Sequence, residues 1–474
     1  MTTPDMEPGR TPRISPLARP RIRVVGVLAA AVAIAAVSQV ANRAAAVPDP
    51  VPAANAPVEG PGPVAGLAGP FTMATVAGTT GDDELLGHLD DGIALWSRKA
   101  KRDPNDYISA TNLAALDLQR AKIHGDAEDY ARAQAAVARA IDADPTYQHA
   151  RLLDGSIRFA IHDFSGALSV SRQILADDAT SLDARALGAD AQLELGDLTG
   201  AAATYRALAA KVSGPPIDLR LARLAQVTGN PARAVELARK ARDAAASASA
   251  PDLGIYDVAL AEIARQAGDA PTAREAFTSA LALRPGDLGG LVGLAKIEAA
   301  AGETSAAIGH LHRAADIAPQ PETLALLGDL DVATGDAKAG AAAYRTVRAI
   351  RRIAGTAASA YDRILLRFEL DHGGATEAVL SETRASLAAR PDAGGHDLAA
   401  WALHRLGRDD EAAVEIEAAQ ASGIVDARIL FHAGAIALAR GDRANGTLML
   451  DRALALGPAI DPIERAEDER LRTG

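Results

Sequence analysis

The sequence of 474 residues is 49% hydrophobic but only 3% aromatic, lacks cysteine and carries a net charge of −12. Without cysteine the chain has no disulfide framework, zinc–thiolate site, iron–sulfur cluster or cysteine nucleophile. The acidic balance argues against a nucleic-acid-binding protein, which needs a dominant basic face. The apolar half, together with a charged fraction of 23%, argues against disorder over the whole length.

A basic segment followed by an apolar segment opens the chain. Residues 1–23 contain five arginines, and residues 24–42 (VVGVLAAAVAIAAVSQVAN) contain no charged side chain. By the positive-inside rule, residues 1–23 would stay in the cytoplasm and the rest of the chain would lie outside. A buried alanine-rich helix of a soluble domain would leave the arginine cluster unexplained.

Two interpretations of residues 24–42 stay open. An uncleaved anchor fits the length, since about 20 apolar residues span a bilayer. A secretory signal peptide fits the basic flank and the small residues Ala44-Ala45-Ala46 as a cleavage site. The sequence therefore predicts a single-pass protein of the cytoplasmic membrane with most of its chain outside or, alternatively, a secreted protein.

A linker and a capping helix are predicted next. Residues 43–81 hold seven prolines among many glycines and alanines. Proline does not sustain a helix interior and glycine raises the entropic cost of ordering, so this segment is interpreted as a flexible linker. Residues 82–104 form one amphipathic pattern that ends at Pro104, with Trp96 on the apolar side. We expect an N-terminal capping helix with Trp96 in its core.

A turn motif then recurs about every 34 residues, usually as glycine followed by a polar residue. A fixed period in this range indicates a solenoid. Five residues after the start of each turn stands a small residue: Ala167, Ala201, Ala234, Ala273, Ala307, Gly340, Ala378, Ala412 and Gly446. Seven residues further on, alanine is again common, as at Ala241, Ala280, Ala314, Ala385, Ala419 and Ala453. Small side chains at these positions would let two antiparallel helices approach closely across the turn.

One unit shows the whole pattern with Leu260-Ala261, Gly268-Asp269, Ala273, Phe277, Ala280 and Pro285. It resembles the tetratricopeptide repeat, a helix–turn–helix unit with small residues near positions 8, 20 and 27 and proline at 32. The resemblance covers residues 105–459 and is to exported or membrane-anchored bacterial members of the family. It implies an all-α fold, an α/α solenoid of about ten hairpins. The mostly charged residues 460–474 are interpreted as a C-terminal capping helix and tail.

No constellation of catalytic groups stands out in the sequence. It contains no phosphate-binding loop, nucleophile elbow or zinc-protease motif. His310 and His312 are two positions apart on a predicted helix, so their side chains point in different directions. We therefore predict a protein that is not an enzyme and has no cofactor and no metal site.

The resemblance implies that the first helix of each unit lines a concave groove for a protein or peptide partner. Carried across to this sequence, the groove positions are Asp183, Asp190, Glu194, Arg223, Gln226, Glu262, Arg265, Lys296, Glu322 and Asp329.

One part of the expected groove combines aromatic and basic residues. The candidate partner-binding residues are Trp401, His404 and Arg405 in unit 9 and Arg428 and Phe431 in unit 10. Aromatic residues beside arginine are typical interface anchors. The alternative is that Trp401 and Phe431 fill the space between neighbouring hairpins.

The leading hypothesis for function is a non-catalytic scaffold that binds a protein or peptide along the concave face, outside the cytoplasmic membrane. It binds no nucleic acid, and it reaches the membrane through residues 24–42 if they are not cleaved. The first alternative is a regulatory or assembly subunit of a membrane or envelope enzyme complex. The second, with the least support, is an enzyme with a site in the groove.

Overall fold

A computed structural model describes residues 82–124, 127–248, 253–354, 362–457 and 462–473. These residues form 22 α-helices and no strand. The first eleven are α1 (Asp82–Arg102), α2 (Tyr107–His124), α3 (Ala127–Ala143), α4 (Gln148–Ala160), α5 (Phe164–Asp177), α6 (Leu182–Glu194), α7 (Leu198–Ala209), α8 (Pro215–Val227), α9 (Pro231–Ser247), α10 (Leu253–Gln266) and α11 (Ala270–Leu283). The others are α12 (Leu288–Ala300), α13 (Thr304–Ile317), α14 (Pro321–Ala333), α15 (Ala337–Ala354), α16 (Asp362–Asp371), α17 (Glu377–Ala389), α18 (Ala393–Arg405), α19 (Asp409–Ala421), α20 (Ala427–Ala439), α21 (Arg443–Ala455) and α22 (Pro462–Thr473).

The predicted membrane or signal segment and the linker lie outside the described residues. Among the helices that are described, none combines the length and the apolar character needed to cross a bilayer.

The helices α2 to α21 pair in chain order into ten hairpins, from hairpin 1 (α2 and α3) to hairpin 10 (α20 and α21). Each hairpin packs on the next, and the first helices of successive hairpins are also in contact. α1 packs on α2, and Trp96 lies half-buried against the core of hairpin 1. The all-α solenoid of about ten hairpins is therefore confirmed.

The turn motif ends one helix and begins the next. Gly196 has a φ of 84°, which a residue with a Cβ rarely adopts. Its conformation lets the backbone N–H of Asp197 donate to the carbonyl of Gln192 at 2.9 Å, which closes α6. The side chain of Asp197 then accepts from the N–H of Gly200 and caps α7. Eight of the nine turns in hairpins 2 to 10 hold a positive-φ glycine, and His162 takes this place in hairpin 2.

The small residues sit where the two helices of a hairpin come closest. A Cβ on Gly446 would lie 3.1 Å from the carbonyl oxygen of Gly434 on the facing helix. The alanines at the same position are fully buried in hairpins 2 to 6 and 9: Ala167, Ala201, Ala234, Ala273, Ala307 and Ala412. Larger side chains then fill the spaces between hairpins, among them Tyr205, Phe277 and Leu311.

Hairpin 8 departs from the expected register, and the prediction for Ala378 and Ala385 is wrong. Both residues are exposed. The turn after Gly373 is longer than the others, so the N-cap of α17 is Thr376. The helix therefore starts two residues later than the pattern expects and buries Leu380 instead.

The solenoid coils tightly enough for successive superhelical turns to touch. A Cβ on Gly196 would lie 3.1 Å from the carbonyl oxygen of Pro391, and one on Gly268 would lie 3.3 Å from Leu456. At Gly229, a Cβ would overlap the carbonyl oxygen of Gly423. The turns of hairpins 3, 4 and 5 thus contact the ends of hairpins 8, 9 and 10, five hairpins further along the chain.

Candidate functional site

The first helices of the hairpins form the inner face of the solenoid, and its polar side chains pair between neighbouring helices. In hairpin 3 the carboxylate of Asp190 accepts from Arg220 of hairpin 4 at 2.9 Å, and both side chains are buried. The hydroxyl of Tyr205 donates to the same carboxylate at 2.7 Å. Charge is tolerated in this interior because each charged group has a partner.

Similar pairs follow along the inner face. Glu194 meets Arg223 at 3.5 Å, and Lys296 meets Glu322 at 2.7 Å. Four more of the expected groove residues join them through the pairs Gln226–Gln266, Glu262–Arg265 and Asp329–His372. Asp183 is half-buried, and burial raises its pKa to about 6 although the charge of Arg220 opposes this. We call this set, together with Asp190–Arg220, the inner polar network. The positions expected to face inward therefore lie on the inner face, but they mainly contact one another.

The network shifts the pKa values of its carboxyl groups. Burial alone would raise the pKa of Glu262, but the charge and hydrogen bond of Arg265, with Lys296 and Gln266, lower it to about 2. Lys296 lowers the pKa of Glu322, and Arg428 of hairpin 10 adds to this effect. Glu322 on α14 is thus influenced by the charge of Arg428 on α20.

Many polar side chains of the inner face are inaccessible to solvent. Seven of its polar residues are buried: Asp190, Arg220, Gln226, Glu262, Arg265, Asp397 and His432. These side chains therefore offer little accessible surface to an extended partner.

The five candidate partner-binding residues come together in hairpins 9 and 10, but the two aromatic rings are buried. Trp401 and Phe431 are each 1% exposed, and their centroids lie 6.2 Å apart. The indole N–H of Trp401 donates to Asp371 at 2.8 Å. Packing between hairpins, the alternative considered for these rings, is what their burial favours. Whether the residues bind a partner stays a prediction.

Two of the three polar candidates, His404 and Arg405, lie against the indole. The ring of His404 lies 5.0 Å from that of Trp401, and its Nδ1 meets Asp409 at 2.6 Å. The guanidinium of Arg405 lies 5.4 Å from the centre of the Trp401 ring, within the range of a cation–π contact. Arg428 lies on α20, on the same face as His432.

Two residues of this site were missed by the sequence reasoning. The ring of His432 stacks on Trp401 at 4.0 Å, and its Nδ1 meets Asp397 at 2.7 Å. Burial would raise the pKa of Asp397, but the interactions with His432, Arg367 and Arg428 lower it. Helical spacing could have indicated both residues. His432 follows Arg428 by four residues and Asp397 precedes Trp401 by four, so each lies on the same helix face as a predicted site residue. We call Trp401, Arg405, Arg428, Phe431 and His432 the aromatic–arginine cluster.

The helix α22 covers the cluster from the inner side of the solenoid. Glu467 of α22 pairs with Arg405 at 3.0 Å, and Glu464 pairs with Arg428 at 3.3 Å. The same helix also contacts α20, α21 and α14. It does not simply cap the end of the array, because it crosses the inner face and reaches hairpin 7. The two arginines proposed to bind a partner therefore bind a helix of their own chain.

Among the described residues, no three histidine, aspartate or glutamate side chains are grouped so that they could hold a metal ion.

Comparison with known families identifies the repeats. Residues 264–330, from the end of α10 into α14, match the family described as tetratricopeptide repeat. Over these residues the sequence is therefore similar to tetratricopeptide repeats, as the resemblance implied. A comparison with curated proteins gave no match.

Three solved structures are similar to this chain at low sequence identity. The APC/C hetero-tetramer Cut9-Hcn1 is 13% identical, with 82% of this chain and 94% of that one covered and a TM-score of 0.30. Yeast Tom70 is 12% identical, with 82% and 93% covered and a TM-score of 0.35. A tetratricopeptide repeat protein from Parabacteroides merdae is 17% identical, with 55% and 99% covered and a TM-score of 0.31.

Proposed function

We propose that this chain is a non-catalytic scaffold that binds a helical segment of a partner protein on the inner face of hairpins 9 and 10. The observation that carries the proposal is the recognition of α22 by Arg405 and Arg428. A surface that already holds one helix through charge pairs has the chemistry to hold another. The buried rings of Trp401 and Phe431 support this surface from behind and fix its shape.

The proposal includes a location outside the cytoplasmic membrane. Its support is the order of five arginines and 19 uncharged residues at the start of the sequence. Protease added to intact cells should digest residues 82–474 if the proposal holds, and protection of these residues in intact cells would refute it. Membrane fractionation then separates a retained anchor from a cleaved signal.

Co-purification of partner proteins with two matched double variants tests the proposed binding site. The double variant Arg405→Gln/Arg428→Gln should lose the proteins that co-purify with the wild-type chain. The control Arg233→Gln/Arg313→Gln removes two charges from the second helices of hairpins 4 and 6 and should retain them. Equal retention by both variants, with unchanged thermal unfolding, would overturn the proposed site. An enzyme among the retained partners would favour the alternative role of a regulatory or assembly subunit.

A further inference from the structure

The helix α22 presents one acidic face to the inner side of the solenoid. Glu464 and Asp468 are buried, and Glu467 joins them through its contact with Arg405. Leu471, one turn beyond Glu467 and Asp468, packs against the core of hairpins 9 and 10. These four residues have the spacing i, i+3, i+4 and i+7, so they share one side of a helix. The other side, with Ala466, Glu469 and Arg470, is exposed.

Charge pairs rather than apolar packing hold this helix in place. Besides the two pairs at the cluster, Arg472 bridges Asp468 at 2.8 Å and Asp451 of α21 at 2.9 Å. The side chains of Arg405 and Arg428 remain 27% and 38% exposed, so water and salt weaken their pairs.

The preceding helix is held differently. α21 places Leu450 and Ala453 fully inside the core of hairpins 9 and 10, where α22 contributes Leu471 only at the edge. Elements with little buried apolar surface open at lower free energy than the core. Among the helices of this region, α22 is therefore the one best suited to leave its place while the hairpins stay folded.

If α22 leaves, two arginines of the uncovered site each lose a carboxylate. Arg405 and Arg428 would lose the carboxylates of Glu467 and Glu464, while the inner pairs Lys296–Glu322 and Glu262–Arg265 would stay balanced. Two arginines beside buried aromatic rings favour carboxylates as ligands. Because they pair with Glu467 and Glu464 of α22, their spacing matches two acidic residues one helical turn apart.

We propose that α22 is a displaceable occupant of the docking site and that the partner presents an acidic helix of the same kind. That helix carries carboxylates at i, i+3 and i+4 and leucine at i+7, and it replaces α22 over the aromatic–arginine cluster. The inference rests on the proposed function, because it names the chemistry of the partner for the same site. A tethered segment competes at a high effective concentration, on the order of millimolar for a short linker, so the closed form resists weak or badly matched ligands.

The test uses the full chain and a fluorescent peptide with the sequence of residues 460–474. The variant Glu464→Gln/Glu467→Gln keeps the length and shape of α22 but removes its two pairs with the arginines. We expect this variant to bind the peptide at least about tenfold more tightly than the wild-type chain does, measured by fluorescence anisotropy, because its own α22 no longer competes. Adding Arg405→Gln/Arg428→Gln to the variant should abolish binding.

Two controls accompany the peptide measurement. Glu469→Gln removes an exposed carboxylate from the opposite side of α22 and should leave the peptide affinity at the wild-type value. A peptide with amides in place of the carboxylates at positions 464, 467 and 468 should not bind. Equal peptide affinity for wild type and the Glu464→Gln/Glu467→Gln variant, or binding of the amide peptide, overturns the proposal.

A distance measurement separates displacement from binding elsewhere. Because the chain has no cysteine, nitroxide labels at Ala439→Cys and Ala466→Cys report only on α20 and α22. The peptide should lengthen and broaden the distance between the labels. A bound peptide with an unchanged distance would refute displacement. The proposed scaffold function is tested separately, by whether Arg405→Gln/Arg428→Gln loses the co-purifying partner.

Discussion

The contact between Asp190 and Arg220 shows how the solenoid keeps charge in its interior. Both side chains are about 5% exposed, and the hydroxyl of Tyr205 completes the hydrogen bonds of the carboxylate. Such a pair adds little net stability over an apolar pair of similar volume, but removing one member leaves a buried charge without its partner.

We predict that Arg220→Met lowers the free energy of unfolding by about 3–5 kcal/mol, because Asp190 stays buried without its cation. Urea unfolding followed by circular dichroism measures the loss. Arg233→Met is the matched control, since its pair with Glu236 is exposed and is worth about 0–1 kcal/mol. Losses of similar size in both variants would contradict the buried-charge argument.

Trp401 gives a second prediction at the same scale. An interface role alone would let Trp401→Ala weaken partner binding without changing stability. With 1% of the side chain exposed, we expect Trp401→Ala to lower the free energy of unfolding by about 3–5 kcal/mol instead. Val414→Ala, at a side chain 67% exposed, should change it by less than about 0.5 kcal/mol. Thermal melts that show an unchanged midpoint for Trp401→Ala would refute the core assignment.

His372 makes stability depend on pH. Burial would lower its pKa, but the hydrogen bond and charge of Asp329, with the Phe368 carbonyl and Asp371, raise it above the ordinary value. Tyr344, whose hydroxyl donates to Asp329, completes the surroundings of the ring. A raised folded pKa means that this stabilisation is complete below the unfolded value of about 6.5 and is lost as the pH rises through the folded value.

We therefore expect the stability difference between wild type and His372→Gln to be largest in acid and to shrink as the pH rises past about 6.5. Urea unfolding across this range measures the difference at each pH. His312→Gln is the control variant, because it removes an exposed histidine elsewhere in the chain. A difference that stays constant or grows with pH would show that the sign is wrong.

The hairpin is the element that repeats, and its turn combines two tasks in two residues. A positive-φ glycine ends the first helix, and the following polar residue caps the second. Not every turn has both devices, since Glu303 of hairpin 6 makes no side-chain capping bond. This difference allows the cap to be measured separately from the turn.

Asp197→Ala should lower the free energy of unfolding by about 1 kcal/mol, the usual effect of losing an N-cap. Glu303→Ala should have a smaller effect, because Glu303 is exposed and caps nothing. Chemical denaturation of the two variants compares them directly. A loss for Glu303→Ala equal to that for Asp197→Ala would mean that the capping bond of Asp197 contributes little.

For the whole molecule, the decisive feature is contact between hairpins five apart. Gly229 and Gly302 have nearly the same backbone conformation, with φ of 76° and 79°. Alanine at either position has the same backbone strain, about 1–2 kcal/mol. Only at Gly229 would the new methyl group overlap the carbonyl oxygen of Gly423, whereas nothing lies within 4 Å at Gly302.

We predict that Gly229→Ala loosens the superhelix and that Gly302→Ala does not. Small-angle X-ray scattering should show a larger radius of gyration for Gly229→Ala, and its stability should fall further than that of Gly302→Ala. If both variants keep the wild-type radius and lose equal stability, the hairpins five apart do not hold the superhelix closed.

The hairpins follow from local features of the sequence. A glycine turn every 34 residues or so and small residues at fixed distances from it are local features, and they predicted ten hairpins and the inward side of each first helix. The register was wrong only in hairpin 8, where the turn ending at Thr376 is longer than its neighbours. The sequence also predicts Arg405 and Arg428 as partner-binding residues from their local spacing to Trp401 and Phe431, and this stays a prediction.

Whether these side chains face water, one another or a further helix depends on tertiary packing. The burial of Trp401 depends on contacts with Asp371 and His432, about 30 residues away. The contact of Gly229 with Gly423 depends instead on small rotations between hairpins that add up over half the chain. A rotation of this kind leaves no periodic signal, because it arises from packing between residues nearly two hundred positions apart. The sequence pattern likewise placed Glu464 and Glu467 on a terminal helix, whereas their contacts with Arg428 and Arg405 depend on how α22 packs against hairpins 7, 9 and 10.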